Sequence, residues 1–127
     1  MIAVNISAGT SAIKELLEQF RSLTSQADQE LQEALLNSCD ENIVVVAKSL
    51  APKKTGALRE SIEARPGNNP LSVLVVADRY YAQFLEYGTR RIPEGKFSFL
   101  RPAIAMQIGK VIEDLGNSTA QKLQQLS

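Results

Sequence analysis

Glu60-Ser61-Ile62-Glu63-Ala64-Arg65-Pro66-Gly67-Asn68-Asn69-Pro70-Leu71-Ser72-Val73-Leu74-Val75-Val76-Ala77 holds two strand-like runs, residues 60–64 and 72–77, around a cluster of proline, glycine and asparagine. Turn formers between β-prone runs predict a hairpin with a long loop. The second run carries no charge and is almost continuously apolar, so left as a free edge it would recruit other chains. It must be covered or paired. Either a helix of the same domain or a neighbouring subunit that extends the sheet meets that requirement.

Upstream, Ala51-Pro52 closes a helix, because proline lacks the N–H that would continue it and drives the preceding residue out of helical space. That helix is expected to start at Ser25-Gln26-Ala27-Asp28, which fits a capping box with an acid in place of the usual Glu. Leu31, Leu35, Cys39, Ile43, Val46, Ala47 and Leu50 keep helical register to its end. The β-branched run Ile43-Val44-Val45-Val46 is strand-like by propensity, but that register favours helix. Before it, Ile13, Leu16, Leu17, Phe20 and Leu23 mark the buried stripe of a first helix that Thr10 or Ser11 can cap, and Ile2 to Ile6 reads as a short strand.

Downstream, residues 80–87 are amphipathic but short, and Gly88 breaks them before Thr89-Arg90-Arg91-Ile92-Pro93-Glu94-Gly95-Lys96. That polar stretch has too little apolar content for a core element and predicts a projecting loop at about 88–98. Pro102 suits the first turn of a C-terminal helix whose buried face is Ile104, Ile108, Val111, Ile112 and Leu115, with Gly116-Asn117-Ser118 expected to stop or kink it. The expected fold class is α+β: one domain over residues 1–127, with a small antiparallel sheet packed against a long helix and a C-terminal helix.

The 127 residues suffice for one core, and 44% apolar with 22% charged residues is a globular composition. Fourteen basic residues balance fourteen acidic ones, so the net field does not attract nucleic acid or an anionic membrane. No stretch has signal-peptide order or the length of a membrane span, and synthesis in the cytoplasm is expected. With no histidine and a single cysteine, the usual general base and the usual metal-ligand sets are missing, and no phosphate-binding glycine motif is present. No catalytic, cofactor-binding or metal residue is therefore assigned. Ser11-Ala12-Ile13-Lys14 and Lys54-Thr55-Gly56 mimic fragments of penicillin-recognising enzymes, but the chain is too short for that fold and the intervening element is missing.

Three segments carry a resemblance: residues 51–62 (APKKTGALRESI), 81–90 (YAQFLEYGTR) and 99–103 (FLRPA). In order and spacing they resemble the tail-completion, or head-to-tail joining, protein family of long-tailed phages and prophages. Lys96-Phe97-Ser98 stands where an alanine- and proline-rich approach is more usual. The resemblance implies a non-enzymatic virion subunit that joins copies of itself into a ring at the neck. Its partners would be the connector or adaptor and the tail-tube or tail-terminator proteins. DNA would pass through without sequence-specific binding, as a neutral net charge permits. No membrane is involved.

Roles follow by segment. Thr55, Gly56, Gly88, Thr89, Phe99, Arg101 and Pro102 are expected to be structural, with Gly56 supplying a backbone angle that a side chain would oppose. Glu86 is expected to anchor the loop through hydrogen bonds or an arginine such as Arg90 or Arg101. Lys53, Lys54, Tyr80, Tyr81, Arg90, Arg91, Lys96 and Phe97 are the candidate contacts with a neighbouring subunit or partner. A nucleic-acid-binding or regulatory module of a mobile element, using the basic pairs Lys53-Lys54 and Arg90-Arg91, is the alternative.

Overall fold

The computed structural model describes residues 1–9, 12–52 and 56–126. Its sheet has three antiparallel strands in the order β1-β3-β2: β1 is Ile2–Ser7, β2 is Ile62–Pro66 and β3 is Ser72–Ala77. The apolar run is thus the central strand. Ile2 to Ser7 pair with Ala77 to Ser72 on one side, and Ile62 to Pro66 with Ala77 to Val73 on the other. Both backbone edges of β3 are hydrogen-bonded within the chain, which answers the aggregation hazard without a neighbour.

Alternation along the strands separates two faces. Ile2, Ile6, Ile62, Val73, Val75 and Ala77 enter the hydrophobic core, while Ala3, Asn5, Ser7 and Glu63 are exposed. On that outer face Arg65 pairs with Glu63 and Asp78.

Against the core face lies a helical rod made of α2 (Ala27–Cys39), a π turn at Asp40–Val44 and α3 (Val45–Leu50). Leu31, Leu35, Cys39, Ile43 and Ala47 are buried along it, as is Ala51 just beyond. These residues recur every fourth position. On a straight α-helix each such step drifts by about 40°, roughly 200° from Leu31 to Ala51. A π turn inserts about one residue and returns roughly 100°, so the remaining drift matches the width of an ordinary apolar stripe. Helix therefore prevails over strand at residues 43–46. Asn42 supports the turn, its amide donating to the Ser38 carbonyl at 2.8 Å. The Cys39 thiol is buried, and burial, aided by the negative charge of Asp40, pushes its pKa up to about 12. It stays a neutral core residue.

α1 (Lys14–Leu23) and α6 (Leu100–Leu126) pack on the other side of the rod. Several local expectations are corrected. α6 runs unbroken through Gly116, whose missing side chain lets Ile13 approach: an added Cβ would sit 3.2 Å from Ile13 Cγ2. Leu23 and Leu50, assigned to buried stripes, are exposed, and each is the last residue of its helix. α2 has no side-chain cap from Ser25. Thr24 Oγ1 instead accepts from the Gln26 N–H at 3.3 Å, forming a local turn. A single helical turn, α4 (Ala57–Glu60), stands where the first strand of the hairpin was expected to begin, and β2 starts two residues later than read. The caps assigned to Thr10 and Ser11 lie outside the described residues.

Candidate functional site

The segments at 81–90 and 99–103 meet at the start of α6. A short helix, α5 (Ala82–Tyr87), presents Glu86, which is fully buried. Helix starts leave their first N–H groups without internal partners. Here a distant carboxylate takes them: Glu86 Oε1 accepts from the N–H of Phe99 at 3.0 Å and of Leu100 at 2.8 Å, and Oε2 from the N–H of Arg101 at 3.1 Å. The Arg101 guanidinium completes the site, donating through Nε to Oε2 at 2.9 Å and through Nη2 to the Glu86 carbonyl at 2.7 Å. Ser98 Oγ donates to that same carbonyl at 2.6 Å.

Burial of a lone carboxylate would raise its pKa. The three backbone donors and Arg101 outweigh that effect, and Glu86 is held below the ordinary glutamate value. The hydrogen bond from its own side raises the Arg101 pKa further above an already high value. Glu86 is therefore an ionised cap on the positive end of a 27-residue helix dipole.

Arg101 also ties down the loop between α5 and α6. Its Nη1 lies 3.7 Å from Glu94 Oε1, and its guanidinium carbon stands 4.6 Å from the Tyr87 ring centre. Inside the loop the Thr89 N–H donates to the Ile92 carbonyl at 2.9 Å, and Thr89 Oγ1 accepts from the N–H groups of Arg91 and Ile92. Gly88 makes this path feasible: φ is 82° and ψ 172°, and an added Cβ would lie 2.7 Å from the Ile92 carbonyl oxygen. That conformation is essentially confined to glycine. The loop is exposed, yet stitched to the body at its base.

Of the two arginines considered as partners for Glu86, the contact is made by Arg101, whereas Arg90, like Arg91, is exposed. Phe99 is buried in the core and Phe97 is exposed with the Lys96 ammonium 5.4 Å above its ring. Tyr80 is 79% exposed and meets the half-buried Tyr81 edge to face. Pro102 sits in the first turn of α6, and Gly56 precedes α4 at φ 76°. Lys53, Lys54 and Thr55 lie outside the described residues. Sequence reasoning missed Phe84 and Tyr87, exposed on α5 at 43% and 48%, which add to the exposed Tyr80 in the turn just before that helix. Their i, i+4, i+7 spacing was the available signal, though it does not say which face is buried.

Among the described residues no group of acidic or cysteine side chains is arranged to hold a metal, and no helix is long and apolar enough to cross a membrane. No curated protein and no solved structure matches the chain. The family model described as "Bacteriophage HK97-gp10, putative tail-component" matches residues 14–88, from the first residue of α1 to the glycine that opens the loop. That span is more than half of the sequence and contains the 51–62 segment and most of the 81–90 segment, so the chain belongs to the HK97-gp10-like family of bacteriophage tail components.

Proposed function

We propose that the chain acts as one structural unit at the junction between phage head and tail, forming a ring of identical subunits between the connector and the tail tube and catalysing no reaction. The observation that carries this reading is the surface around the Glu86 anchor. Tyr80, Phe84, Tyr87 and Phe97 are all exposed, and so are Arg90 and Arg91 in the loop that follows α5, without an ion-pair partner among the described residues. Aromatic residues and arginines of this kind are enriched in protein interfaces, and a rigid anchor lowers the entropy lost when a loop docks. Membership in a tail-component family supplies the context.

In this reading Tyr80, Tyr81, Arg90, Arg91, Lys96 and Phe97 contact the neighbouring subunit or the adjoining neck proteins. Lys53 and Lys54, outside the described residues, are further proposed contacts. DNA passes through the ring without sequence-specific binding, since a neutral subunit imposes few phosphate contacts. The protein resides in the virion. The test is imaging and mass determination of the purified chain, alone and with its connector and tail-tube partners. Closed or particle-bound rings are expected for the wild type, and Arg90→Glu with Arg91→Glu should block particle assembly. Assembly that proceeds unchanged in that double variant removes the loop from the interface.

A further inference from the structure

A neutral chain can still be strongly polarised. Between Ala27 and Val44 there are five acids and no lysine or arginine, whereas residues 79–101 carry five basic residues against two acids. Both of those acids, Glu86 and Glu94, already face Arg101. Arg79, Arg90 and Arg91 make no ion pair among the described residues, and neither do Glu41 and Asp114 on the opposite side of the charge division.

The two unpaired sets sit at different places along α6. Arg101 stands at its first turn, and Asp114 thirteen residues on is about 20 Å further along the axis. Around Asp114, α2 and α6 leave an open groove of about 400 Å³. Asn37, Ser38, Glu41, Asp114, Asn117 and Gln121 line it, and none of its lining residues is basic. The groove is rich in acceptors: two carboxylates together with amide and hydroxyl oxygens. Asp114 is held in place by Asn42 Nδ2 at 3.3 Å and by Ser38 Oγ at 3.5 Å, both neutral donors that leave its charge uncompensated. Such a lining suits guanidinium groups, each of which brings five N–H donors in a planar fork.

We infer that the groove between α2 and α6 is the docking site for the Arg90-Arg91 loop of a second copy of this chain. This inference rests on the ring reading above and names the surface that receives the loop. The loop stands at the start of α6 and the groove begins about 20 Å further along it, and the loop is fixed at its own end by Glu86 and Arg101, so the contact runs from one copy to the next. It is heterologous: loop and groove are different surfaces, and each copy keeps one of each free for another neighbour. Closed repetition of such a contact gives a ring. Charge complementarity also sets the order of events, since opposite fields steer encounter before the aromatic residues beside the loop make contact.

The experiment is a charge exchange on the full chain, read by sedimentation and single-particle mass measurement at several salt concentrations. The loop variant is Arg90→Glu with Arg91→Glu. The groove variant is Glu41→Lys with Asn117→Lys, both at exposed positions outside the hydrogen bonds that hold Asp114, with thermal melts checking that each variant folds. Wild-type association should weaken as salt rises. Each variant alone should associate at least about tenfold more weakly than wild type. An equimolar mixture of the two should recover wild-type association, because every reversed loop then finds a reversed groove and every native loop a native one. Folded variants whose mixture does not recover overturn the inference. If the groove variant associates like wild type while the loop variant does not, the loop docks elsewhere and the ring reading stands. A wild-type chain that stays monomeric at every concentration and salt, or a loop that is titrated by duplex DNA with no effect of the groove variant, overturns the assignment of a second copy as occupant. The monomeric outcome removes the ring with it.

Discussion

Glu86 concentrates more of the local structure on one side chain than any other polar residue in the site, because its carboxylate closes a helix start and fixes an arginine at once. Glu86→Ala would leave those N–H groups and Arg101 Nε without their carboxylate acceptor. The expected loss is about 3 kcal/mol, measurable by urea unfolding. The pH dependence follows from the direction of the shift. A pKa below the ordinary value means that the folded state binds the proton more weakly than the unfolded one. The stabilisation is therefore complete above the unfolded value, about 4.3, and is lost as pH falls through the lower folded value. The stability gap between wild type and Glu86→Gln should be constant near neutrality and shrink below about pH 4.3. A gap that widens on acidification contradicts the anchor. Two glycines of the same loop provide a graded comparison. Gly88→Ala meets both a forbidden backbone angle and a clash with the Ile92 carbonyl, and should lose about 2 kcal/mol or more, whereas Gly95→Ala, at φ 86° in open space, should lose about 1 kcal/mol. The acid and both arginine candidates were visible in the sequence, but its placement on the N–H groups of residues 99–101 was not. That contact depends on how the chain returns after the loop, and no local pattern encodes the return.

The hairpin, the long rod and the C-terminal helix were legible because each is announced by periodicity or punctuation over ten residues or more. α4 was not, since one helical turn has no period to read, and the partner of β1 was not, since pairing across some seventy residues leaves no local trace. The π turn lies between these cases. Its cause, apolar residues at every fourth position, was present in the stripe, but the same spacing is tolerated over short spans by an ordinary helix. Deletion tests its role. Removing the exposed Asp40 should turn the π turn into α-helix while the residues on either side keep their facing, leaving stability within about 2 kcal/mol of wild type. Removing the exposed Glu33, inside regular α2, should rotate half of the rod by about 100° and abolish cooperative unfolding. Equal effects of the two deletions, read by circular dichroism and thermal melts, would rule out a register-setting turn.

At the scale of the molecule, a balanced total charge conceals a division between an acidic rod and a basic loop region. Composition alone supported the absence of long-range attraction to nucleic acid. The arrangement adds the expectation that assembly of the proposed ring is salt-sensitive, checked by comparing oligomer mass at low and high ionic strength. Insensitivity to salt would shift the weight of the contact to the exposed aromatic residues. The groove was out of reach of sequence reasoning, because its two walls come from α2 and α6, far apart in the chain. Strand order has a further consequence, in time rather than in space. β1 lies at positions 2–7, but its partner β3 is complete only at residue 77. At synthesis rates of about 5–20 residues per second, the uncharged segment Ile2-Ala3-Val4-Asn5-Ile6-Ser7 waits roughly 3–14 s before its partner has been made. During those seconds neighbouring nascent copies on the same messenger RNA that have not yet reached β3 carry the same unpaired segment, so the yield of folded protein is expected to depend on ribosome spacing and chaperone capture as well as on final stability.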